Sequence, residues 1–320
     1  MRRIVLGCAI AVLALAGTAP AQEFPKKSIT LMVGFAAGGA ADTAARVIAR
    51  KLSENLDVPV VVENRAGAGG NIAHQLVAHG EADGSLILLG SIGPLAIAPH
   101  LTKVGYDPQK DLAPLTMGMN FPNVLVVHAG LGVKTLAEYI ALAKKNPGKL
   151  DYASTGPGSA SHLAGELFNQ RAGVDIVHVP YKGGAPALTD LLAGRVASYF
   201  STPSTAGPYI ANGQLIPLAT TGLARPSFMP DVPTLAESGF PGFNATNWYA
   251  FVAPGKTPEP ILERWNQELV KALNAPDVHD ELLKHGLTPM PGTREELARY
   301  IESESKNWAQ VIRERHITVN

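Results

Sequence analysis

Short apolar runs alternate with amphipathic helical patterns along most of the chain. In the first part, strands are predicted at Ile29–Phe35, Val58–Glu63 and Leu86–Gly90. Apolar residues at helical spacing predict helices at Asp42–Leu56 and Asn71–His79 between these strands. Such alternation joins strands through helical crossovers and therefore indicates an α/β sheet.

A second alternating set runs from about Leu112 to Thr221. Its predicted strands are Leu112–Met117, Val124–His128, Asp151–Ser154, Val177–Pro180, Ala197–Ser201 and Ile216–Thr221. Its predicted helices are Thr135–Asn146, Ser159–Ala172, Ala185–Gly194 and Thr205–Asn212. The Pro- and Gly-rich stretch Arg225–Phe243 interrupts the pattern, which resumes as a strand at Trp248–Ala253.

The C-terminal part of the chain is helical, at Pro258–Leu273, Asp277–His285 and Arg294–Arg315. The sequence Thr293–Glu296 fits a capping box for the last helix. The two alternating sets indicate two lobes. Because the C-terminal helices have no strands of their own, we expect them to pack on the first lobe and to make it discontinuous. The expected division is a first lobe at residues 22–121 plus 242–320 and a second lobe at residues 122–241.

Three apolar runs end in a glycine-rich turn that starts a helix. The turns are Ala36–Asp42, Gly156–His162 and Lys182–Asp190. A strand, a tight turn and a helix N-terminus together aim several backbone N–H groups at one point, which favours an anion. The sequence therefore predicts an anion clamp assembled from these turns.

The glycine spacing argues against a nucleotide as this anion without excluding it. The turn after the second strand resembles the dinucleotide fingerprint, but Ile72 stands where the third glycine belongs, as does Ser161 in the later turn. Asp42 disfavours a phosphate dianion unless Arg46 compensates its charge. Asp42 can also cap the following helix and pair with Arg46, four residues further on.

The N-terminal segment predicts export. Arg2 and Arg3 precede an apolar stretch from Ile4 to Ala16, and Ala19–Ala21 fits a signal-peptidase site, so residues 1–21 are expected to be removed. The only cysteine, Cys8, would leave with this segment. The mature protein would then have no disulfide and no thiolate metal site.

Composition and motifs disfavour several other functions. The chain has 27 basic and 27 acidic residues, so nothing suggests nucleic-acid binding. Neither a nucleophile elbow nor a P-loop nor a zinc-protease motif is present, and no cofactor or metal is expected. A periplasmic hydrolase that uses Ser159 or Ser161 with His162 remains an alternative, since catalytic triads are recognised by geometry.

Several segments, taken in order, resemble the periplasmic substrate-binding receptors of tripartite tricarboxylate transporters, the Bug receptor family. The residues that carry the resemblance are Ala37–Asp42 with Arg46, Val62–Gly70, Tyr152–Gly156, His162–Phe168, His178–Ala187, Asp190–Gly194, Pro230–Thr234 and Trp248-Tyr249. Two departures are visible: Ala37 and Ala82 stand where many relatives carry proline. Each adds a backbone N–H and loosens its turn.

The resemblance implies a periplasmic-binding-protein fold of type II, in which two α/β lobes clamp a ligand. It implies a receptor, not an enzyme, that binds a small carboxylate mainly through backbone N–H groups and ordered water. We expect a periplasmic monomer that delivers this solute to a two-component integral membrane permease. A receptor that feeds a membrane sensor is the alternative.

The expected ligand-binding residues lie in the glycine-rich turns and at the neighbouring strand ends. They are Phe35, Ala36, Ala37, Gly38, Gly39, Asp42, Gly69, Ser91, Ser154, Thr155, Gly156, Gly158, Ser159, His162, Tyr181, Lys182, Gly183 and Ser201.

Overall fold

Two β-sheets, each with helices packed against it, organise the chain. The computed structural model describes residue 24 and residues 27–318. The predicted signal peptide, residues 1–21, lies outside the described residues. Within the described part, no helix is long and apolar enough to cross a bilayer.

The first sheet has six strands in the order β11-β4-β10-β3-β1-β2. They are β1 (Ile29–Val33), β2 (Val60–Asn64), β3 (Leu86–Ser91), β4 (Leu112–Pro122), β10 (Thr246–Pro254) and β11 (Thr288–Pro289). Strand β1 pairs in parallel with β2 and β3, whereas β10 runs antiparallel to both β3 and β4. We call this sheet and the helices packed on it the first lobe.

The second sheet has five strands in the order β7-β6-β8-β5-β9. They are β5 (Val124–His128), β6 (Asp151–Ser154), β7 (Val177–Pro180), β8 (Ser198–Ser201) and β9 (Leu215–Thr220). Strand β6 is parallel to β7 and β8, and β5 is antiparallel to β8 and β9. This sheet and its helices form the second lobe.

The α-helices follow the predicted segments closely. They are α1 (Ala40–Leu56), α2 (Asn71–Ala78), α3 (Leu136–Lys145), α4 (Ala160–Ala172), α5 (Gly184–Leu192), α6 (Pro203–Ala211), α7 (Glu259–Leu273), α8 (Pro276–Lys284) and α9 (Arg294–Arg315). The predicted capping box at the start of α9 is confirmed, since the Thr293 and Glu296 side chains bond to each other's backbone N–H. Helices α7 and α9 pack on β4, and α1 packs on α7 and α8.

The assignment of one strand to the second alternating set was wrong. Leu112–Met117 is part of β4, which continues to Pro122 and pairs with β10 in the first sheet. Two apolar neighbours in sequence, β4 and β5, thus lie in different sheets. Helical turns at Gly93–Ile97 and Ala98–His100, which the sequence pattern did not predict, follow β3.

The lobes are joined where the chain passes from β4 to β5 and returns from β9 to β10. Thr221, fully buried, ties these crossings together. Its hydroxyl accepts the Asn123 N–H and donates to the Ala245 carbonyl, both at 2.9 Å. Its backbone bonds to the same two residues, also at 2.9 Å. One threonine therefore fixes the spacing of the crossing segments.

Replacing this hydroxyl tests its contribution to stability. We expect Thr221→Val to lower the free energy of unfolding by about 2 kcal/mol or more, because a buried N–H and a buried carbonyl lose their partner while shape is kept. Chemical denaturation measures this change. Thr189→Val, at an exposed helical position, is the matched control. Equal stability of the two variants would contradict the prediction.

Candidate functional site

A cavity lies between the two lobes. Its wall combines aromatic rings, small residues, hydroxyls and two amides. The lining residues are Phe35, Gly39, Ala40, Ala41, Ser91, Ile92, Asn123, Thr155, Ser159, Ala160, Ser161, Gly184, Tyr199, Phe200, Thr202, Thr205, Asn247 and Tyr249. No lysine, arginine, histidine, aspartate or glutamate is among the described residues that line it.

Four helices begin at the wall of this cavity. The lining includes the starts of α1 (Gly39–Ala41), α4 (Ser159–Ser161) and α5 (Gly184), and Thr202 and Thr205 at the start of α6. The first N–H groups of a helix have no acceptor within the helix, and the helix dipole makes this end electropositive. Four such ends around an uncharged cavity suit an anion without a cationic side chain.

Hydroxyl groups of the second lobe form a connected row on one wall. Ser161 Oγ accepts the Thr155 N–H at 2.9 Å and lies 3.1 Å from Ser159 Oγ. Ser159 is also the N-cap of α4, where its hydroxyl accepts the His162 N–H. These bonds fix the positions of the oxygen atoms in the row, whose hydroxyl groups can both donate and accept.

The loops beside the cavity contact each other directly across the cleft. The Ala36 N–H of the first lobe donates to the Lys182 carbonyl of the second at 3.1 Å. A Cβ on Gly183 would lie 2.8 Å from the Ala36 nitrogen. A Cβ on Gly156 would lie 2.7 Å from the Gly69 nitrogen. Only glycine permits the two backbones to approach this closely.

Asp42 uses its carboxylate within the first lobe. Its Oδ2 accepts the Gly38 N–H at 3.0 Å, and both carboxylate oxygens bond to Arg46 at 2.9 and 3.0 Å. The predicted Arg46 pair is thus confirmed, while the N-cap of α1 is Gly39. Burial opposes the charged form, but the hydrogen bonds from Arg46 and Gly38 outweigh it and hold the pKa of Asp42 below its usual value.

Two stacked histidines lie behind the turn that precedes α4. The His162 and His178 rings are 4.2 Å apart. The Gly158 N–H donates to His162 Nδ1 at 3.2 Å, and Ser154 Oγ lies 2.6 Å from His178 Nε2. Burial lowers the pKa of His162 to about 3 and that of His178 to about 4. Both rings are therefore neutral near pH 7 and support the turn.

The structure divides the predicted ligand-binding residues into two groups. Those that line the cavity are Phe35, Gly39, Ser91, Thr155 and Ser159. Those that lie elsewhere are Ala36, Ala37, Gly38, Asp42, Gly69, Ser154, Gly156, Gly158, His162, Tyr181, Lys182, Gly183 and Ser201. The second group braces the turns or joins the lobes, apart from the exposed Ala37; the Lys182 side chain is also exposed, and this residue joins the lobes through its carbonyl.

Specific bonds explain why polar members of this second group do not face the cavity. Tyr181 OH donates to Asp190 at 2.8 Å, and Ser201 Oγ donates to the Thr202 carbonyl at 3.2 Å. Gly38 and Gly158 give their N–H groups to Asp42 and His162, as described above. Their backbone donors are thus already paired within the protein.

Sequence reasoning missed several residues of the cavity wall. Asn123 lies between β4 and β5, Asn247 is the second residue of β10, and Tyr199 lies in β8. None of them belongs to a glycine-rich turn, so no local motif marked them. The only signal was an isolated polar residue, Asn123, between two apolar runs.

Among the described residues that line the cavity, no nucleophile–base pair supports the hydrolase alternative. Ser159 Oγ bonds to the backbone N–H of His162, not to its ring. The Ser154–His178 pair has hydrogen-bonding geometry, but neither residue is part of the described cavity wall.

Comparison with known proteins identifies the family. The model of the tripartite tricarboxylate transporter family receptor matches residues 44–317. The chain belongs to this receptor family. Protein BugT of Bordetella pertussis is 38% identical over 97% of this chain and 96% of its own length. Members of this family are periplasmic solute-binding receptors.

Solved structures share the two-lobed periplasmic-binding-protein fold of this receptor. R. palustris Rpa4515 with adipate has a TM-score of 0.89 and 35% identity, covering 92% of this chain and 99% of its own. MatC from Rhodopseudomonas palustris with bound malate has a TM-score of 0.87 and 32% identity, covering 90% and 100%. The fold and family expected from the sequence are confirmed.

The close glycine contacts between the lobes can be tested by substitution. A Cβ on Gly69 would overlap the Pro157 carbonyl oxygen of the opposite lobe, whereas one on Gly173 meets nothing within 4 Å. The two positions have similar φ values, +65° and +60°, so alanine strains both backbones alike. We expect Gly69→Ala to weaken ligand binding by about tenfold or more relative to Gly173→Ala, as measured by isothermal titration calorimetry. Equal affinities of the two variants would show that this contact between the lobes does not contribute to ligand binding.

The buried histidines predict a loss of stability in acid. Histidine titrates near pH 6.5 in the unfolded chain, but near 3 and 4 at His162 and His178 in the folded protein. Below pH 6.5 the unfolded state therefore binds protons that the folded state does not, and stability falls as pH falls. The loss is at most about 1.4 kcal/mol per pH unit for each fully buried histidine, and smaller for the partly exposed His178.

Melting temperatures between pH 7 and pH 4.5 measure this dependence. We expect His178→Gln to have a shallower pH dependence than the wild type, while the exposed control His79→Gln keeps it. His74, whose pKa burial lowers to about 4, retains part of the slope in every variant. Parallel curves for His178→Gln and wild type would refute the assignment.

Proposed function

We propose that this receptor captures a small carboxylate-bearing solute between its lobes and delivers it to a two-component integral membrane permease. The observation that carries the proposal is the cavity with four helix starts and no charged wall residue in the described chain. An anion gains favourable electrostatic interaction there from backbone dipoles. The adipate and malate bound to the two structural relatives support a carboxylate as the anion.

Binding couples to closure of the lobes. One end of the ligand accepts hydrogen bonds from the start of α1 at Gly39–Ala41, and the other end from Ser159–Ser161 and Gly184 on the second lobe. A ligand that contacts both lobes stabilises the closed form by its differential affinity for it. The hinge is the pair of crossing segments that Thr221 joins.

The proposed lobe boundaries and location follow the same logic. We assign residues 22–121 plus 242–320 to the first lobe and 122–241 to the second, since strands β4 and β10 belong to one sheet and β5–β9 to the other. Removal of residues 1–21 would release a periplasmic monomer. The family to which the chain belongs supports this location.

A proline at the first position of α4 tests the role of backbone donors. Ala160 lines the cavity, and the preceding Ser159 has φ −77° and ψ 162°, a conformation that suits a residue before proline. Proline at the first helical position is tolerated and removes one N–H. Ala160→Val is the matched control because it adds similar bulk and keeps this N–H.

We expect wild-type protein to bind at least one acid from a panel of C4–C6 dicarboxylates, citrate and aromatic acids in calorimetry. Ala160→Pro should bind that acid about tenfold more weakly than Ala160→Val does, a difference of about 1.4 kcal/mol. Equal affinities of the two variants would show that the Ala160 N–H at the start of α4 does not bind the ligand. Chemically altered ligand after long incubation would favour an enzyme instead.

Transport is tested separately from binding. Cells that lack the permease should lose uptake of the labelled acid while the purified receptor still binds it. Unchanged uptake in the deletion strain would contradict delivery to that permease and favour a role in sensing.

A further inference from the structure

The two amide side chains in the cavity wall, Asn123 and Asn247, have hydrogen-bonding groups that the protein leaves unpaired. Asn123 is fully buried and Asn247 is 7% exposed. Asn247 Nδ2 donates to Asn123 Oδ1 at 3.4 Å. Asn123 Nδ2 and Asn247 Oδ1 then find no partner among the described residues. We call these two residues the amide pair.

Both residues of the amide pair line the cavity, and within the described chain the pair has one unpaired donor and one unpaired acceptor. If both amides are rotated by 180°, the shared bond reverses, and again one NH₂ group and one carbonyl oxygen remain. The conclusion is therefore independent of how either amide is oriented. Leaving a buried polar group unpaired costs about 1–3 kcal/mol, so a ligand that pairs both groups gains affinity.

A carboxylate alone cannot satisfy this pair. An ionised carboxylate only accepts hydrogen bonds, so it can pair with the NH₂ group but leaves the carbonyl oxygen unpaired. An ammonium group only donates, so it can pair with the carbonyl oxygen but leaves the NH₂ group unpaired. In addition, no described residue of the wall is acidic, so the ammonium charge would have no partner. A hydroxyl group both donates and accepts and so matches the pair.

A third unpaired group lies on the same wall. Ser91 Oγ, at the end of β3 and 3% exposed, also lacks a partner in the described chain and lines the cavity. Ser91 in β3 pairs with Tyr249 in β10, and Tyr249 follows Asn247 by two residues. This hydroxyl can complete the set of bonds around a ligand hydroxyl or the neighbouring carboxylate.

We propose that the amide pair selects a hydroxylated carboxylate over the matching acid without the hydroxyl. This inference rests on the proposed function and names the ligand class within it. Asn123 lies on the crossing from β4 to β5, and Asn247 is the second residue of β10. The ligand hydroxyl is therefore recognised next to the hinge, while its carboxylates meet the helix starts.

Calorimetry with matched acids tests the inference on the wild-type protein. The probes are succinate against L- and D-malate, glutarate against 2-hydroxyglutarate, and L-aspartate. We expect the hydroxylated member of at least one pair to bind about tenfold more tightly than the unsubstituted acid. L-Aspartate should gain no such advantage over succinate.

Variants assign the selectivity to the amide pair. Asn247→Leu and the smaller Asn247→Ser remove the amide carbonyl. We expect either folded variant to lose most of the hydroxyl preference, measured as the ratio of the affinities for the hydroxylated and the unsubstituted acid. Asn244→Leu, at an exposed position three residues earlier in the chain, is the control and should keep the preference.

Each outcome bears on a different statement. Equal affinity within every pair would overturn the inference, with a bound water pairing the amides instead, but would leave carboxylate capture standing. If both Asn247 variants still prefer the hydroxylated acid, the amide pair is not the cause of this preference. Failure of the wild type to bind any of these acids or the wider panel would contradict the proposed function itself.

Discussion

Backbone contact between the two lobes is the constraint on which the geometry of the cavity depends. Ala36 contacts Lys182 and Gly183, and Gly69 contacts Gly156. At both places the backbones of the two lobes are closer than a side chain on either glycine of the second lobe, Gly183 or Gly156, would permit. These contacts surround a cavity whose wall is built from helix starts. The distance between the opposing helix starts is therefore set by glycine, and with it the length of ligand that can touch both.

The absence of charged side chains from the described cavity wall has an energetic consequence. A buried cation would have to lose its own hydration before it could attract a ligand, whereas backbone dipoles are already held in place by the helices. Asp42 and Arg46 lie next to the site and neutralise each other. The local field at the start of α1 is thus dominated by the helix itself.

The sequence predicted most of the fold because its local signals agree with the final structure. Apolar runs and capping residues such as Thr293 and Glu296 located the helices and strands within a few residues. The pairing of β4 with β10 could not be predicted from local pattern, since more than a hundred residues separate the two strands. The glycine-rich turns indicated where the cleft lies. The local pattern could not show, however, which backbone N–H groups face a ligand and which bond to the opposite lobe. Asn123 and Asn247 could not be predicted as a pair because they come together only when the start of β10 lies beside the crossing from β4 to β5.

The position of β10 also governs the order in which the molecule can form. In the first sheet, β10 lies between β3 and β4 and pairs with both, although it follows them by more than a hundred residues. Strands β5 to β9 of the second lobe all precede it in the chain. During synthesis the second sheet therefore has all its strands before the first can close. Until residues 246–254 arrive, β3 and β4 have free edges, and this interval of exposed strand edges is when a newly made chain is most prone to pair wrongly.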